Sequence, residues 1–150
     1  NTLERIQLPQ GIGSIPKGLF NFCKKLSAVR LPDSIQCIGD EAFQDCDSLQ
    51  DINWPMALDE IGKSAFRNCI ALEYARLPGK VGVGAFSYCT SLKNLDFSVL
   101  SLNQRLYSFR ISFCNVVFMP RSLSILMFIS DIQVSSYVVP LYTEWIVNAI

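Results

Sequence analysis

Apolar residues recur along the first two thirds of the chain at a fixed long spacing, and the pattern changes character within each period. Leu26 to Ser48 reads LSAVRLPDSIQCIGDEAFQDCDS, and Leu49 to Ala71 reads LQDINWPMALDEIGKSAFRNCIA. Leu3 to Lys25 and Leu72 to Ser91 follow the same template more loosely; the first three units are 23 residues long and the fourth is three residues shorter. Position 1 of the units is Leu3, Leu26, Leu49, Leu72 and Leu92; position 4 is Ile6, Val29, Ile52, Ala75 and Leu95; position 6 is Leu8, Leu31, Trp54, Leu77 and Phe97. A polar residue separates positions 4 and 6, which is the period of a strand with one buried face. Pro9, Pro32, Pro55 and Pro78 follow at position 7. Proline has no N–H to give a ladder, so each strand is expected to stop there.

The second half of the unit reads differently. Ile15, Ile38 and Ile61 are followed by Pro16, Gly39 and Gly62, a bend signal. Ala42-Phe43, Ala65-Phe66 and Ala85-Phe86 come next, with Leu19-Phe20 in the first unit, and Cys23, Cys46, Cys69 and Cys89 each stand three residues after the Phe. Phe and Cys at that spacing share one face of a helical turn. Each unit is therefore predicted to be one short strand, a bend and a short helical or 3₁₀ turn. No such unit buries its own apolar side. Stacked units do, each Leu, Ile and Phe lying on its copy, with strands about 4.8 Å apart in a parallel sheet. The predicted class is an α/β repeat solenoid, a parallel sheet with one short strand per coil.

These residues resemble the BspA-like type of leucine-rich repeat, whose pattern runs Leu-x-x-Ile-x-Leu-Pro and then Ile-Gly-x-x-Ala-Phe-x-x-Cys. The resemblance covers residues 3–97, four units and a partial fifth. It implies a curved solenoid with the parallel sheet on its concave side, no shared catalytic activity, and roles in protein binding and surface attachment. Unit four departs from the pattern: its deletion after Pro78 leaves Gly79-Lys80-Val81-Gly82-Val83-Gly84, which is expected to shorten the coil and bend or loosen it. That stretch lacks the Gly-Lys-Ser/Thr ending of a phosphate-binding loop, so a shortened repeat turn accounts for it better.

Composition removes several functions. Thirteen Lys and Arg balance thirteen Asp and Glu, so no net field attracts nucleic acid, and there is no histidine to serve as base or metal ligand. Four of the six cysteines obey the repeat, which makes them packing groups. Side chains pointing the same way in a ladder do not aim at each other for a disulfide, and no Cys-x-x-Cys offers a metal site. Cys37 falls outside the Phe–Cys rung and is expected to be exposed or at a coil edge; Cys114 lies beyond the repeats. An enzyme is not indicated, and no cofactor is. Asn1-Thr2 occupy the last two positions of a repeat, the register of a piece cut from a longer array. Localisation is left open.

Recognition is expected on the outward strand positions of the concave sheet. Among positions 3 and 5 the candidates are Arg5, Gln7, Arg30, Asp51, Asn53, Tyr74 and Arg76. Arg30, Tyr74 and Arg76 are the expected anchors, because Arg and Tyr dominate binding hot spots. The expected function is a non-catalytic protein–protein interaction module within a larger solenoid, with a protein partner. The alternatives are a cell-surface adhesin segment or regulatory repeats beside a catalytic domain outside this chain.

The template vanishes after Phe97. Residues 98–150 contain no Gly or Lys, nine serines, and only five charged residues: Arg105, Arg110, Arg121, Asp131 and Glu144. Three readings compete: an irregular cap or strand-rich tail on the open end of the solenoid, a membrane anchor, or out-of-frame or intron-derived translation. Arg121 and Asp131 interrupt every apolar window of about 18 residues, which counts against the anchor.

Overall fold

The computed structural model describes residues 2–96 and Ser98. The rung expected at Phe97, Cys114 and all three readings of the tail lie outside the described residues.

Nine short strands follow one another among the described residues: β1 (Arg5–Gln7), β2 (Ser14–Ile15), β3 (Ala28–Arg30), β4 (Cys37–Ile38), β5 (Asp51–Ile52), β6 (Glu60–Ile61), β7 (Tyr74–Arg76), β8 (Lys80–Val81) and β9 (Asn94–Asp96). Every pairing is parallel and joins equivalent positions of successive coils. Arg5 lies beside Ala28 and Ala28 beside Asp51, and in the shortened unit Glu60 lies beside Lys80. The repeat thus sets the register directly, and the chain forms a parallel β-solenoid.

The expectation of one strand per coil is corrected: each of the first four coils carries two. The first sheet uses the strand at positions 3 to 5 and runs β1-β3-β5, then separately β7-β9. A second sheet, β2-β4-β6-β8, runs through the Ile15, Ile38 and Ile61 segment where only a bend was expected. Gly39 and Gly62 mark close approach there, not a turn conformation. A Cβ on Gly39 would stand 2.8 Å from the Ile15 carbonyl oxygen, and one on Gly62 would stand 2.5 Å from the Asp40 nitrogen. Only a residue without a side chain lets the coils sit this close.

The expected helical turn is not found: no helix forms among the described residues. The Phe–Cys segment is a train of tight turns. Ala42, Gln44 and Cys46 each donate to the carbonyl three residues back, while Glu41, Phe43 and Asp45 between them donate to Lys63, Ala65 and Arg67 of the next coil at 2.8–2.9 Å. Left-handed residues cause the alternation. They recur at two fixed places per coil, Gly18 and Phe22, Glu41 and Asp45, Ser64 and Asn68, Gly84 and Tyr88, with φ between 53° and 67°. Each one ends the local turn before a 3₁₀ helix can propagate. A non-glycine residue in this region costs about 1–2 kcal/mol, and the bonds to the next coil offset it. The i, i+3 spacing was sound as a statement of which side chains share a face, and misleading about the backbone that puts them there.

The core lies between the two sheets and the turns. Leu26, Leu49, Leu72 and Leu92 are fully buried, as are Val29, Ile38, Phe43, Phe66 and Phe86. The Phe rings stack coil on coil, Phe20 to Phe43 to Phe66 to Phe86, with centroids 5.1, 5.2 and 5.3 Å apart. Each such side chain contributes roughly 1.5–3 kcal/mol by burial, and the stacking makes that contribution repeat.

Candidate functional site

The first sheet presents its outward positions to solvent through the alternation of the strands. Arg5, Gln7, Arg30, Asp51 and Tyr74 are exposed, while Val29, Ile52 and Ala75 between them are buried. Arg30 and Asp51 meet as a two-pronged ion pair, Nη1 to Oδ1 at 2.9 Å and Nη2 to Oδ2 at 2.6 Å. The hydrogen bond from Arg30 holds the Asp51 carboxyl below its usual range. Tyr74 donates its hydroxyl to Asp96 Oδ2 at 3.5 Å. Partial burial, then the Asp96 charge, pushes the phenol upward. Asp96 is itself held below the carboxylate range, first by the Ser98 backbone N–H at 2.8 Å from Oδ1.

Two candidates stand differently from the rest. Arg76 is buried, at 7% exposure, although it occupies the same position as Gln7 and Arg30. Its guanidinium reaches the Pro55 carbonyl (3.4 Å), Met56 Sδ (2.9 Å) and Asp96 (3.6 Å). Asn53 is half-buried and replaces a strand backbone: its Oδ1 accepts from the Leu31 N–H at 2.7 Å, and its Nδ2 donates to the Leu31 carbonyl at 2.8 Å. The expectation that position 5 always faces solvent does not hold at these two coils. The outward row is Arg5, Gln7, Arg30, Asp51 and Tyr74, with Asn53 and Arg76 tied into the scaffold beneath it.

The coils around Arg76 also depart from the template. Trp54 stands where the sister coils have Leu8, Leu31 and Leu77, and its indole packs on both Phe66 (5.2 Å) and Phe86 (6.3 Å). The three residues missing from unit four would have carried the counterpart of the buried Ile35 and Leu58. The larger ring of one coil thus reaches toward the apolar volume that the next coil lacks. A Trp on a Leu rung, one unit before a deletion, was the available sequence signal.

The cysteines form a structural ladder. The thiols of Cys46, Cys69 and Cys89 donate to the carbonyls of Phe20, Phe43 and Phe66 in the preceding coil, at 3.1, 3.1 and 3.0 Å. The Phe carbonyl already accepts its own coil's Cys N–H, for instance Cys46 to Phe43 at 3.3 Å. The S–H thus serves the second lone pair, which an alanine of similar size leaves unused. Burial pushes Cys46 and Cys89 up to about 12 and raises Cys69 as well. Such thiols are poor nucleophiles at neutral pH. Cys37 is half-buried, not exposed, on β4, beside Ser14 and Glu60 of the flanking coils.

Coils of two short parallel strands and a turn ladder, repeating a buried Leu-Ile-Phe-Cys set, define a leucine-rich-repeat solenoid. The family model for the BspA type leucine rich repeat region, of six copies, matches residues 1–114, and the chain belongs to that family. Three solved structures share the fold. A leucine rich cell surface protein from Faecalibacterium prausnitzii is 28% identical with a TM-score of 0.57, over 68% of this chain and 34% of that one. A leucine-rich repeat protein from Bacteroides ovatus is 23% identical with a TM-score of 0.52, over 63% and 33%. The leucine rich repeat protein of T. pallidum is 19% identical with a TM-score of 0.50, over 76% and 86%. The chain matches about a third of the length of the first two. No curated protein matches it by sequence.

Proposed function

We propose that this chain is a non-catalytic protein-interaction module that binds its partner across the outward face of the first sheet, the concave side in the family it belongs to. The observation that supports this most directly is the division of labour within the strands. The inward positions stay apolar in every coil, whereas the exposed ones, Arg5, Gln7, Arg30, Asp51 and Tyr74, change in charge and chemistry from coil to coil. Solenoids use such extended surfaces for recognition. Tyr74 and Arg30 are the proposed anchors, each already oriented by a neighbour, Asp96 for one and Asp51 for the other. Asn53 and Arg76 act from below, by holding the coils that carry these side chains.

A surface adhesin segment is the second reading. It is favoured by the cell-surface description of the Faecalibacterium prausnitzii relative.

Photo-crosslinking residues placed at Arg5, Arg30 and Tyr74, and separately at Lys24 and Arg67 on the turn side, test the face. Crosslinks to a specific protein are expected from the first set alone. For a partner found this way, the combined change of Arg5, Arg30 and Tyr74 to Ala is expected to weaken binding at least about tenfold. Crosslinks arising equally from the turn side would assign recognition elsewhere.

A further inference from the structure

We infer that the solenoid has a hinge built into it between the coils of residues 49–71 and 72–91, parting on the side of the first sheet. At the neighbouring junctions two consecutive N–H groups converge on one carbonyl of the preceding coil. Ser27 and Ala28 meet Glu4 (2.8 and 3.3 Å), Gln50 and Asp51 meet Ser27 (3.1 and 3.0 Å), and Lys93 and Asn94 meet Glu73 (3.0 and 3.1 Å). The equivalent donors at this junction, Glu73 and Tyr74, make no such bond to Gln50. A second rung is missing as well. Leu8 donates to Arg30 (3.0 Å) and Leu77 to Asp96 (2.9 Å), and Leu31 donates to the Asn53 side-chain amide instead (2.7 Å), but Trp54 makes no such bond to Arg76 by backbone or side chain. Strands β5 and β7 are correspondingly not paired with each other, β5 ending one sheet and β7 beginning the next.

The opposite side of the same junction is closed. β6 pairs with β8, Lys80 donates to Asp59 (3.1 Å) and Gly82 to Ile61 (2.7 Å). The turn ladder also continues, from Ser64 to Val83 (3.1 Å), Phe66 to Ala85 (2.8 Å) and Asn68 to Ser87 (2.9 Å). Two coils joined along one side and parted along the other have a single soft motion, rotation about the joined side. On the parted side only side chains span the gap: the Arg76 guanidinium to Pro55 and Met56, and the Trp54 ring to Phe86. The indole Nε1 is buried there with no acceptor, a cost that holding the closed position imposes. Hinges of this kind move on the microsecond to millisecond scale. The motion changes the spacing between the Arg30–Asp51 pair and the Tyr74–Asp96 pair, and its use in binding rests on the function proposed above. The hinge itself needs no partner.

The test is NMR on the isolated full chain, with residue-resolved relaxation dispersion and amide exchange. Millisecond dispersion is expected at Asn53–Met56 and Glu73–Arg76, and none at Lys80, Gly82 or Ser27–Arg30. Arg76→Ala is expected to raise the population of the open state about tenfold, the equivalent of losing roughly 1.4 kcal/mol of closing contacts. Three outcomes overturn the hinge, two of them on the unaltered protein. Fast amide exchange at Glu73 and Tyr74 without dispersion means a fixed gap. Dispersion that extends equally to Lys80 and Gly82 means that the coil unravels as a unit. A folded Arg76→Ala variant with unchanged dispersion removes Arg76 as the closing contact, and with it the closing mechanism of the hinge.

Discussion

The turn side and the first-sheet side of this solenoid are built from the same coils under opposite rules. On the turn side every rung repeats: Phe on Phe, Cys thiol on Phe carbonyl, left-handed residue on left-handed residue. On the first-sheet side each rung has its own chemistry, from the Arg30–Asp51 pair to the Asn53 amide standing in for backbone and the buried Arg76. The turn side therefore carries the energy of stacking, where any change is multiplied by contact with both neighbours. The sheet side is free to vary, and in one place it gave up its hydrogen-bond ladder altogether.

Four measurements test this contrast. Alkali is expected to have the largest effect. An unfolded thiol ionises near 9, whereas Cys46 and Cys89 hold their protons to about 12, and Cys69 is raised too. The native state then binds more protons, so stability is full below pH 9 and falls as pH rises toward 12. The slope is about 1.4 kcal/mol per pH unit for each buried thiol. Urea titrations from pH 8 to 11 measure it, and replacing the three by Ala is expected to flatten the curve. A curve already flat in the unaltered protein would mean the ladder is not buried.

Phe66→Ala removes the centre of the ring stack, between Phe43 and Phe86 and under Trp54. It is expected to cost about 3–5 kcal/mol, by equilibrium denaturation. Next is Gly62→Ala, whose new Cβ would stand 2.5 Å from the Asp40 nitrogen. Forcing two coils apart is expected to cost about 1–3 kcal/mol, and a Tm equal to that of the unaltered protein would show that the coils are not in close contact there. The smallest effects compare two arginines at the same repeat position. Arg76→Ala loses buried contacts to Pro55, Met56 and Asp96, and about 1–2 kcal/mol is expected. Arg30→Ala breaks an exposed ion pair and a long bond to the Val29 carbonyl (3.3 Å), and is expected to leave the denaturation midpoint nearly unmoved. Equal losses from both would erase the distinction between scaffold and surface on this sheet.

Much of the candidate site was legible in the sequence. The alternation of Ile6, Val29, Ile52 and Ala75 with polar neighbours correctly assigns Arg5, Gln7, Arg30, Asp51 and Tyr74 to the exposed face. The fate of Arg76 and Asn53 was not legible, because position in a strand fixes which way a side chain starts and not where a long or amide-bearing one finishes. Arg76 turns under to meet the Pro55 carbonyl and Met56 of the preceding coil, partners 20 and 21 residues away in the chain.

From the repeat alone came the solenoid, its period, its parallel register and most of its buried rungs. Each is a local requirement copied in every unit, and a copy stacks best on its copy. Tertiary structure decided the second sheet, the left-handed turn ladder and the parted junction. These depend on where backbone N–H and C=O groups of adjacent coils meet. Two residues per coil suffice to make a strand of the second sheet, too few to leave an alternation in the sequence. Phe and Cys at a spacing of three satisfy a helix and a train of turns equally well. What separates the two is whether the N–H finds its acceptor in its own coil or in the next, and only the stacked coils supply that answer.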